Sequence, residues 1–486
     1  MDALGDFFRF WWELLALNAR KSFARARGLR PPCQAPGDSG RARETVCEAC
    51  LQWNKAARFR RVCPLLVRTP AGWRCSVDAA AVRPFWGRAA AAYALLAAGL
   101  FLGGTLAAFG GLSAVGFRVS YRDVAWPPAW KNIDRARAVF YAEQGLAALA
   151  AGRINEAGIA LGLATTLDPG NYGAGFALAQ LWQAGQPALS DRTYRRLLAT
   201  HPTQSAATAR AWAQALLLRG DFRELAELAT ARLGAEAPET ASWLHALVFS
   251  ARRLGETATL RAARAIPGLA PETRALLAHE ETSVGGDGDA VRRALTVPLE
   301  ETAGDYPRYH QIEFLITQGD AARAAELLAL YGAKLPANER VALTLRTLGA
   351  LGARERRAAE FSALLAHNPG PALPALLAAE LVRYPDPALL RLATETLAAR
   401  PWATTPEAAA PLAALLCAAA AAGDLTMVEE LRTRLRRATG GRLEVLDRIG
   451  DFFHVGRGAP ALGHLLPSLP MLPPKTVYAL HERPAR

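Results

Sequence analysis

Glycine or proline returns along the second two-thirds of the chain at Gly152, Gly185, Gly220, Gly255, Gly288, Gly319, Gly352, Pro385, Gly423 and Gly456. The steps are mostly about 31 to 36 residues, the length of two helices joined by a turn. A unit that short cannot bury its own apolar face, so successive units have to stack, and the stack offers a long surface on which other molecules can be held. Alanine and leucine dominate the apolar residues, which favours helix over sheet. The expected fold is all-α, a solenoid of helical hairpins.

Charge and cysteine are distributed unevenly over the 486 residues. The formal net charge of +13 is concentrated early: residues 1–88 carry sixteen Lys and Arg against seven Asp and Glu. Cys33, Cys47, Cys50, Cys63 and Cys75 lie in the same segment, and Cys417 is the sole cysteine after it. Such asymmetry fits a chain whose two parts occupy different compartments, the thiols being kept reduced on the cytosolic side.

Between those parts, Ala89 to Phe117 contains no charged residue. Twenty helical residues already cover the roughly 30 Å of a bilayer's hydrocarbon core, so the segment 89–117 is expected to be a single transmembrane helix. Phe85 and Trp86 precede it, and Tyr121, Trp126 and Trp130 come after it, where amphipathic rings settle at the interfaces. Gly99, Gly103, Ala107 and Gly111 share one helix face and would let a second copy approach closely, giving a homodimer through the span. Arginines and lysines close to the span favour its C-terminal side as cytoplasmic. Translocating the basic, cysteine-bearing 88-residue tail without a signal peptide is harder than exporting the C-terminal domain behind a signal-anchor. The expected arrangement is therefore a bacterial inner-membrane protein with its N-terminus cytoplasmic and its repeats periplasmic.

Residues 1–30 read as an aromatic, basic amphipathic helix suited to lipid headgroups or to covering the adjacent module. Residues 31–88 form a cysteine-rich module. Cys47 and Cys50 make one close knuckle, and Cys63 and Cys75 can supply the other two corners of a tetrahedral zinc site, with Cys33 a competing ligand. Cys63 and Cys75 are twelve apart, unlike the second close pair of a zinc ribbon, so reduced thiols and disulfide or redox use stay open as alternatives. A module this small gains from a structural metal. Its arginines suit the anionic leaflet beside the span better than a nucleic acid, although Trp53, Phe59 and Trp73 could stack on bases.

After a linker at 118–133, in which Pro127 and Pro128 are expected to hold an extended Trp126–Trp130 connection, helical patterning runs through 134–460. Tyr141, Gly145 and Ala148 on a first helix, Gly152 at the turn, Ala157, Leu161 and Ala164 on a second, and Asp168-Pro169 closing the unit make the clearest copy. With these residues the chain resembles the tetratricopeptide repeat family. Later copies keep the phase through Phe176, Tyr194 and Pro202, then Trp212, Phe222, Leu225 and Pro238, then Trp243 and Leu260, and on to Gly423-Asp424 with Val428. The resemblance implies a protein- or peptide-binding scaffold with contacts on the first helices. A carboxylate clamp built on lysines is not implied, since only Lys131, Lys334 and Lys475 occur beyond the span. Trp182, Trp212 and Trp243 read as packing residues. Residues 282–302 are expected to hold an elongated turn, the Pro385 unit lacks a turn glycine, and 461–486 reads as a proline-rich tail extended over the last hairpin.

No set of base, nucleophile and metal ligands emerges. Gly37-Asp38-Ser39-Gly40 copies a serine-protease signature in letters only, and every histidine, from His201 onward, lies beyond the span. The expectation is a non-catalytic membrane scaffold for protein partners, in contact with lipid, with no small-molecule substrate and with zinc as its one cofactor. The competing reading makes the cysteine module the functional end, sensing nucleic acid or redox state.

Overall fold

The computed structural model describes residues 94–234, 240–299, 304–366, 370–440 and 462–483, the backbone at 66–70, 72–75, 83–93 and 459–461, and a few positions between 12 and 28. Cys33, Cys47, Cys50, Cys63, most of the 1–30 stretch and the punctuation at Gly456 lie outside the described residues. The chain divides into two units, Met1–Ala136 and Arg137–Arg486.

Among its described residues the first unit departs from the all-α expectation in a short hairpin. Strands β1 (Leu66–Thr69) and β2 (Gly72–Cys75) form an antiparallel hairpin with Leu66 opposite Cys75 and Thr69 opposite Gly72. Threonine, valine and tryptophan in these eight residues suit a pleated ribbon better than a helix. Helix α1 comes next at Arg83–Val115, 33 residues and so about 50 Å long. Its stretch Ala94–Val115 is unburied and is long and apolar enough to cross a membrane. The helix starts before residue 89 and stops short of 117, because Gly116 turns into the left-handed region (φ 102°) and Phe117 N–H donates to the Leu112 carbonyl at 3.1 Å. Nothing lies within 4 Å of where a Cβ would stand on Gly99, Gly103 or Gly111.

The linker is folded rather than extended. Helix α2 (Tyr121–Ala125) turns back on α1, with the Tyr121 hydroxyl 2.9 Å from Thr105 Oγ1 and its ring edge-on to Phe109. Trp126 is extended, as a residue before proline must be, but Pro127–Ala129 then close a 3-10 turn, and the Trp130 indole donates to the Val124 carbonyl at 3.0 Å. Prolines are tolerated there because the first N–H groups of a helical turn have no internal partner.

From α3 onward the chain is helical throughout its described residues. Helices pair as hairpins: α3 (Lys131–Ala150) with α4 (Ile154–Leu167), α5 (Tyr172–Gly185) with α6 (Pro187–Thr200), and α7 (Ser205–Arg219) with α8 (Phe222–Leu233). Then come α9 (Thr240–Leu254) and α10 (Ala258–Arg264), α11 (Pro271–Val284) and α12 (Gly288–Leu295), and α13 (Asp305–Thr317) and α14 (Ala321–Tyr331). The series closes with α15 (Ala337–Ala350) and α16 (Arg354–Ala366), α17 (Ala372–Arg383) and α18 (Pro387–Ala398), and α19 (Ala409–Ala422) and α20 (Leu425–Thr439). Most helices from α4 onward lie against their successors, and odd-numbered helices also touch along the row α9, α11, α13, α15, α17, α19.

The sequence punctuation falls inside the hairpins. At α7 and α19 the C-terminal residue is followed by Gly220 or Gly423 in the left-handed conformation (φ 78° and 80°), where a Cβ would be strained. The aspartate after such a turn starts the next helix: Asp320 accepts from Arg323 N–H and Asp424 from Met427 N–H. In place of the expected long turn from 282, the described residues hold a short one at 285–287. Helix α11 continues to Val284, and Asp287 caps α12 by accepting from Ala290 N–H. Where Pro385 replaces glycine, Asp386 performs the same capping by accepting from Ala388 and Leu389 N–H groups.

Small residues decide how close partners come. A Cβ on Gly145 would stand 2.7 Å from Leu161 Cγ, and one on Gly349 would stand 2.6 Å from the Tyr384 ring. Trp212 and Trp243 are buried in the main core, Trp212 donating to Asp191 at 2.8 Å, while Trp182 packs on the smaller cluster around Leu161 and Leu178.

The C-terminal segment corrects the expectation of an extended tail on the last hairpin. Helices α21 (Ala459–Leu465) and α22 (Pro474–Glu482) flank a 3-10 turn, and α22 packs on α7 and α17. Pro474 begins α22, so proline acts here as a starter rather than a breaker. Leu465, Leu466, Leu469, Leu472, Val477 and Leu480 are all buried in the main core. Burial of several aliphatic side chains, each worth roughly 1.5–3 kcal/mol, explains why this segment joins the core instead of staying in water.

Candidate functional site

The odd-numbered helices carry a chain of buried and half-buried charges that ends on α22. Glu280 on α11 accepts from Arg252 Nε on α9 at 2.8 Å and from His310 Nε2 on α13. Glu313, one turn further along α13, accepts from the Tyr309 hydroxyl at 3.0 Å and from Arg346 on α15. Arg346 also reaches Glu380 on α17 at 3.2 Å, Arg383 donates to Glu380 at 2.9 Å, and Arg383 Nε donates to Glu482 on α22 at 2.6 Å. Five helices and the C-terminal segment are thus tied by alternating guanidinium and carboxylate groups.

The electrostatics reflect that alternation. Burial alone would raise the Glu280 carboxyl, but Arg252 and then His310 hold it down at about 2. Glu313 is likewise opposed by burial and kept well below the carboxylate range by Arg346, with His245, Arg252 and Arg383 contributing. His481 on α22 is pushed down to about 4 by burial, against the hydrogen bond of its Nε2 to the Leu217 carbonyl at 2.9 Å. Its ring stands edge-on to Phe222, and the Tyr478 ring meets those of His245 and Phe249 at 4.5 and 4.7 Å. Gln214 completes the docking by donating to the Leu472 carbonyl at 2.7 Å.

Beside this network the odd helices leave a cavity of about 880 Å³. Its walls come from α7, α9, α13, α15, α17 and α19, with Lys475 and Tyr478 of α22 on one side. Among the described residues, no even-numbered hairpin partner from α4 to α20 contributes. A volume of this order is that of a drug-sized ligand pocket.

The cysteines expected to bind zinc are not brought together among the described residues: Cys75 ends β2, and Cys47, Cys50 and Cys63 lie outside them. The hairpin register sets Cys75 opposite Leu66. Cys417 is buried in α19, and burial pushes its thiol up to about 12, which keeps it protonated and poorly nucleophilic.

Sequence reasoning missed the charge network. Its signal is a lone charge inside an apolar run: Glu380 comes after Leu-Leu-Ala-Ala, and Glu313 sits between Ile312 and Phe314. Such a position on a core helix forces burial, and a buried carboxylate needs a partner. No family model, curated protein or solved structure matches this chain.

Proposed function

We propose that this protein is a non-catalytic membrane scaffold: α1 crosses the bilayer once, and the hairpins from α3 to α20 form a tetratricopeptide-like solenoid that holds partner proteins beside it. The observation that carries this reading is the bare apolar surface at the start of the array. Ile159 and Leu163 lie one turn apart on α4 and Val139 and Leu146 two turns apart on α3, and all four are exposed, Ile159 by 67%. End units of a stacked array need a polar outer face to remain soluble. Aliphatic residues there favour a covered surface, and exposed apolar patches of this kind mark protein contacts.

A photo-crosslinking residue at position 159, compared in intact cells with one at Arg356 on α16, tests the reading. Discrete adducts of defined mass at 159 alone support it, and their loss in Leu163→Lys ties them to the apolar surface. Equal labelling at both positions, or none, removes the scaffold reading.

In the same proposal the basic segment 1–88 lies in the cytoplasm, binds anionic lipid and holds one zinc ion through Cys47, Cys50, Cys63 and Cys75, while the hairpin array is exported. A topology reporter fused after Arg486 reads the orientation, a cytoplasmic signal reversing it. Metal analysis of the purified chain with and without Cys47→Ser and Cys50→Ser reads the zinc, and a metal content unchanged by the substitutions rules those ligands out.

A further inference from the structure

The fold-back of α2 onto α1 limits how much of α1 can lie in a bilayer. Thr105 stands about 15 Å before the end of α1 at Val115, at 1.5 Å per residue. Its hydroxyl donates to the Phe101 carbonyl at 2.9 Å, which leaves the oxygen to accept from the Tyr121 hydroxyl at the same distance. The Tyr121 ring meets Phe109 edge-on with centroids 6.0 Å apart, and α2 packs along the side of α1. After Gly116 the chain descends beside the helix it has just left, so α2 lies level with the last three turns of α1 rather than beyond them.

That placement brings charge to the same level. Arg122 is exposed, and Asp123 accepts from the Ser120 N–H and hydroxyl at 2.9 and 2.6 Å and from Asn132 Nδ2 at 2.9 Å. The Ser120 hydroxyl and then Asn132 hold the Asp123 carboxyl below its usual range, so it is ionised at neutral pH. A guanidinium and a carboxylate are costly to place in hydrocarbon. The hydrocarbon therefore ends before it reaches α2, which on α1 means near Thr105. Counting back, Ala89–Thr105 is free of charge and about 25 Å long, and Phe85–Arg88 completes a core of about 30 Å. Phenylalanine and tryptophan suit such a boundary, and arginine is tolerated within one turn of it because so long a side chain reaches water.

We infer that α1 crosses the bilayer between Phe85 and Thr105, shifted from the charge-free segment 89–117, and that its last three turns, α2 and the 3-10 turn form a collar docked on the lipid headgroups. Arg122 supplies a cation for the lipid phosphates, and Trp126 and Trp130, 57% and 55% exposed, supply rings that favour the headgroup layer. The inference rests on the reading that α1 is a membrane span.

The full chain reconstituted in liposomes of phosphatidylcholine and phosphatidylglycerol provides the test, with a genetically encoded fluorescent residue in place of Leu95 or Val115 in separate samples. The quenchers are iodide, present on both sides of the membrane, and a nitroxide fixed midway along the lipid acyl chain. Expected are nitroxide quenching at 95, and iodide quenching at 115 that exceeds that at 95 by at least about fivefold. Iodide reaching neither position puts the hydrocarbon boundary at the end of α1 and overturns the inference. Iodide reaching both removes the underlying reading of α1 as a span. Tyr121→Ala takes away the hydroxyl tie and the ring contact together, so α1 is expected to sink and iodide quenching at 115 to fall by at least about twofold. An unchanged value shows that α2 does not set the depth and overturns its part in the inference. Should that variant fail to insert, the comparison of 95 with 115 in the native background decides alone.

Discussion

The first hairpin, α3 with α4, and the central helices α13, α15 and α17 are built from the same repeat length but held by different forces. Around α3 and α4 the contact is small-residue packing, with Gly145 letting Leu161 approach to where a side chain would stand, and the ion pair of Arg153 with Glu156 lies in water at 54% and 65% exposure. In the central helices the small residues remain but the helices are also joined by Arg346, Glu313, Glu380 and Arg383, all nearly dry. The lesson is that one repeat pattern fixes spacing and direction, while residues outside the pattern decide how strongly neighbouring units depend on each other.

Breaking the central network has the largest expected effect. Arg346→Met leaves Glu313 and Glu380 buried without their shared guanidinium, and the loss expected in urea unfolding is about 3–5 kcal/mol. Adding Glu313→Gln should recover part of it. A loss below about 1 kcal/mol would show that the charges are incidental and erase the contrast with the first hairpin, where Arg153→Ala is expected to change stability by less than about 1 kcal/mol.

Acid tests the same contrast without mutation. His481 has a folded-state pKa of about 4 against an ordinary 6.5, so between those values the unfolded chain binds the extra proton. Its contribution is complete above pH 6.5 and lost as pH falls through 4, a difference of about 3 kcal/mol. Glu280 behaves in the same direction lower down: with its carboxyl held at about 2 from an ordinary 4.5, stability present above 4.5 is lost as pH falls towards 2. Unfolding free energies measured from pH 7.5 to 4.5 should decline, and His481→Gln should flatten the upper part of that slope. An unchanged slope would place the titration elsewhere.

Gly145→Val probes the packed end. Its methyl groups have no room beside Leu161, and a cost of about 1–3 kcal/mol is expected. Hydrogen exchange should report faster opening of α3 and α4 with α13 to α17 unaffected; an effect spread evenly over all hairpins would contradict the proposed difference. Smaller still is the cap at α5, where Asn171 accepts from Ala174 N–H at 3.0 Å: Asn171→Ala should cost about 1 kcal/mol, measured in the same unfolding assay.

How much of this can be read from residues alone divides along the same line. Gly152, Gly220, Gly352 and Gly423 show in the sequence because a turn demands one residue type at one place, and the helices between them arise from composition. The apolar span shows because nothing but length and lack of charge is needed. The Trp126–Trp130 link is harder, since proline suits both an extended strand and the start of a 3-10 turn, and only the local Trp126 carbonyl and Val124 contacts choose between them. The α22 docking and the Arg346 network are invisible to periodicity, because they join positions such as Arg383 and Glu482 that are far apart in the chain. The cavity depends on both and so is hidden with them.

Leu217 and His481 are bonded across 264 positions of sequence, and that distance governs assembly. A stack with only neighbour contacts could settle unit by unit as it leaves the ribosome. Here the earlier helices keep an unfilled apolar seam until α22 has been synthesised and can close the loop, an entropic step that short-range pairing does not require. Any nascent chain arrested before about residue 472 would therefore present that seam to chaperones or to other nascent copies.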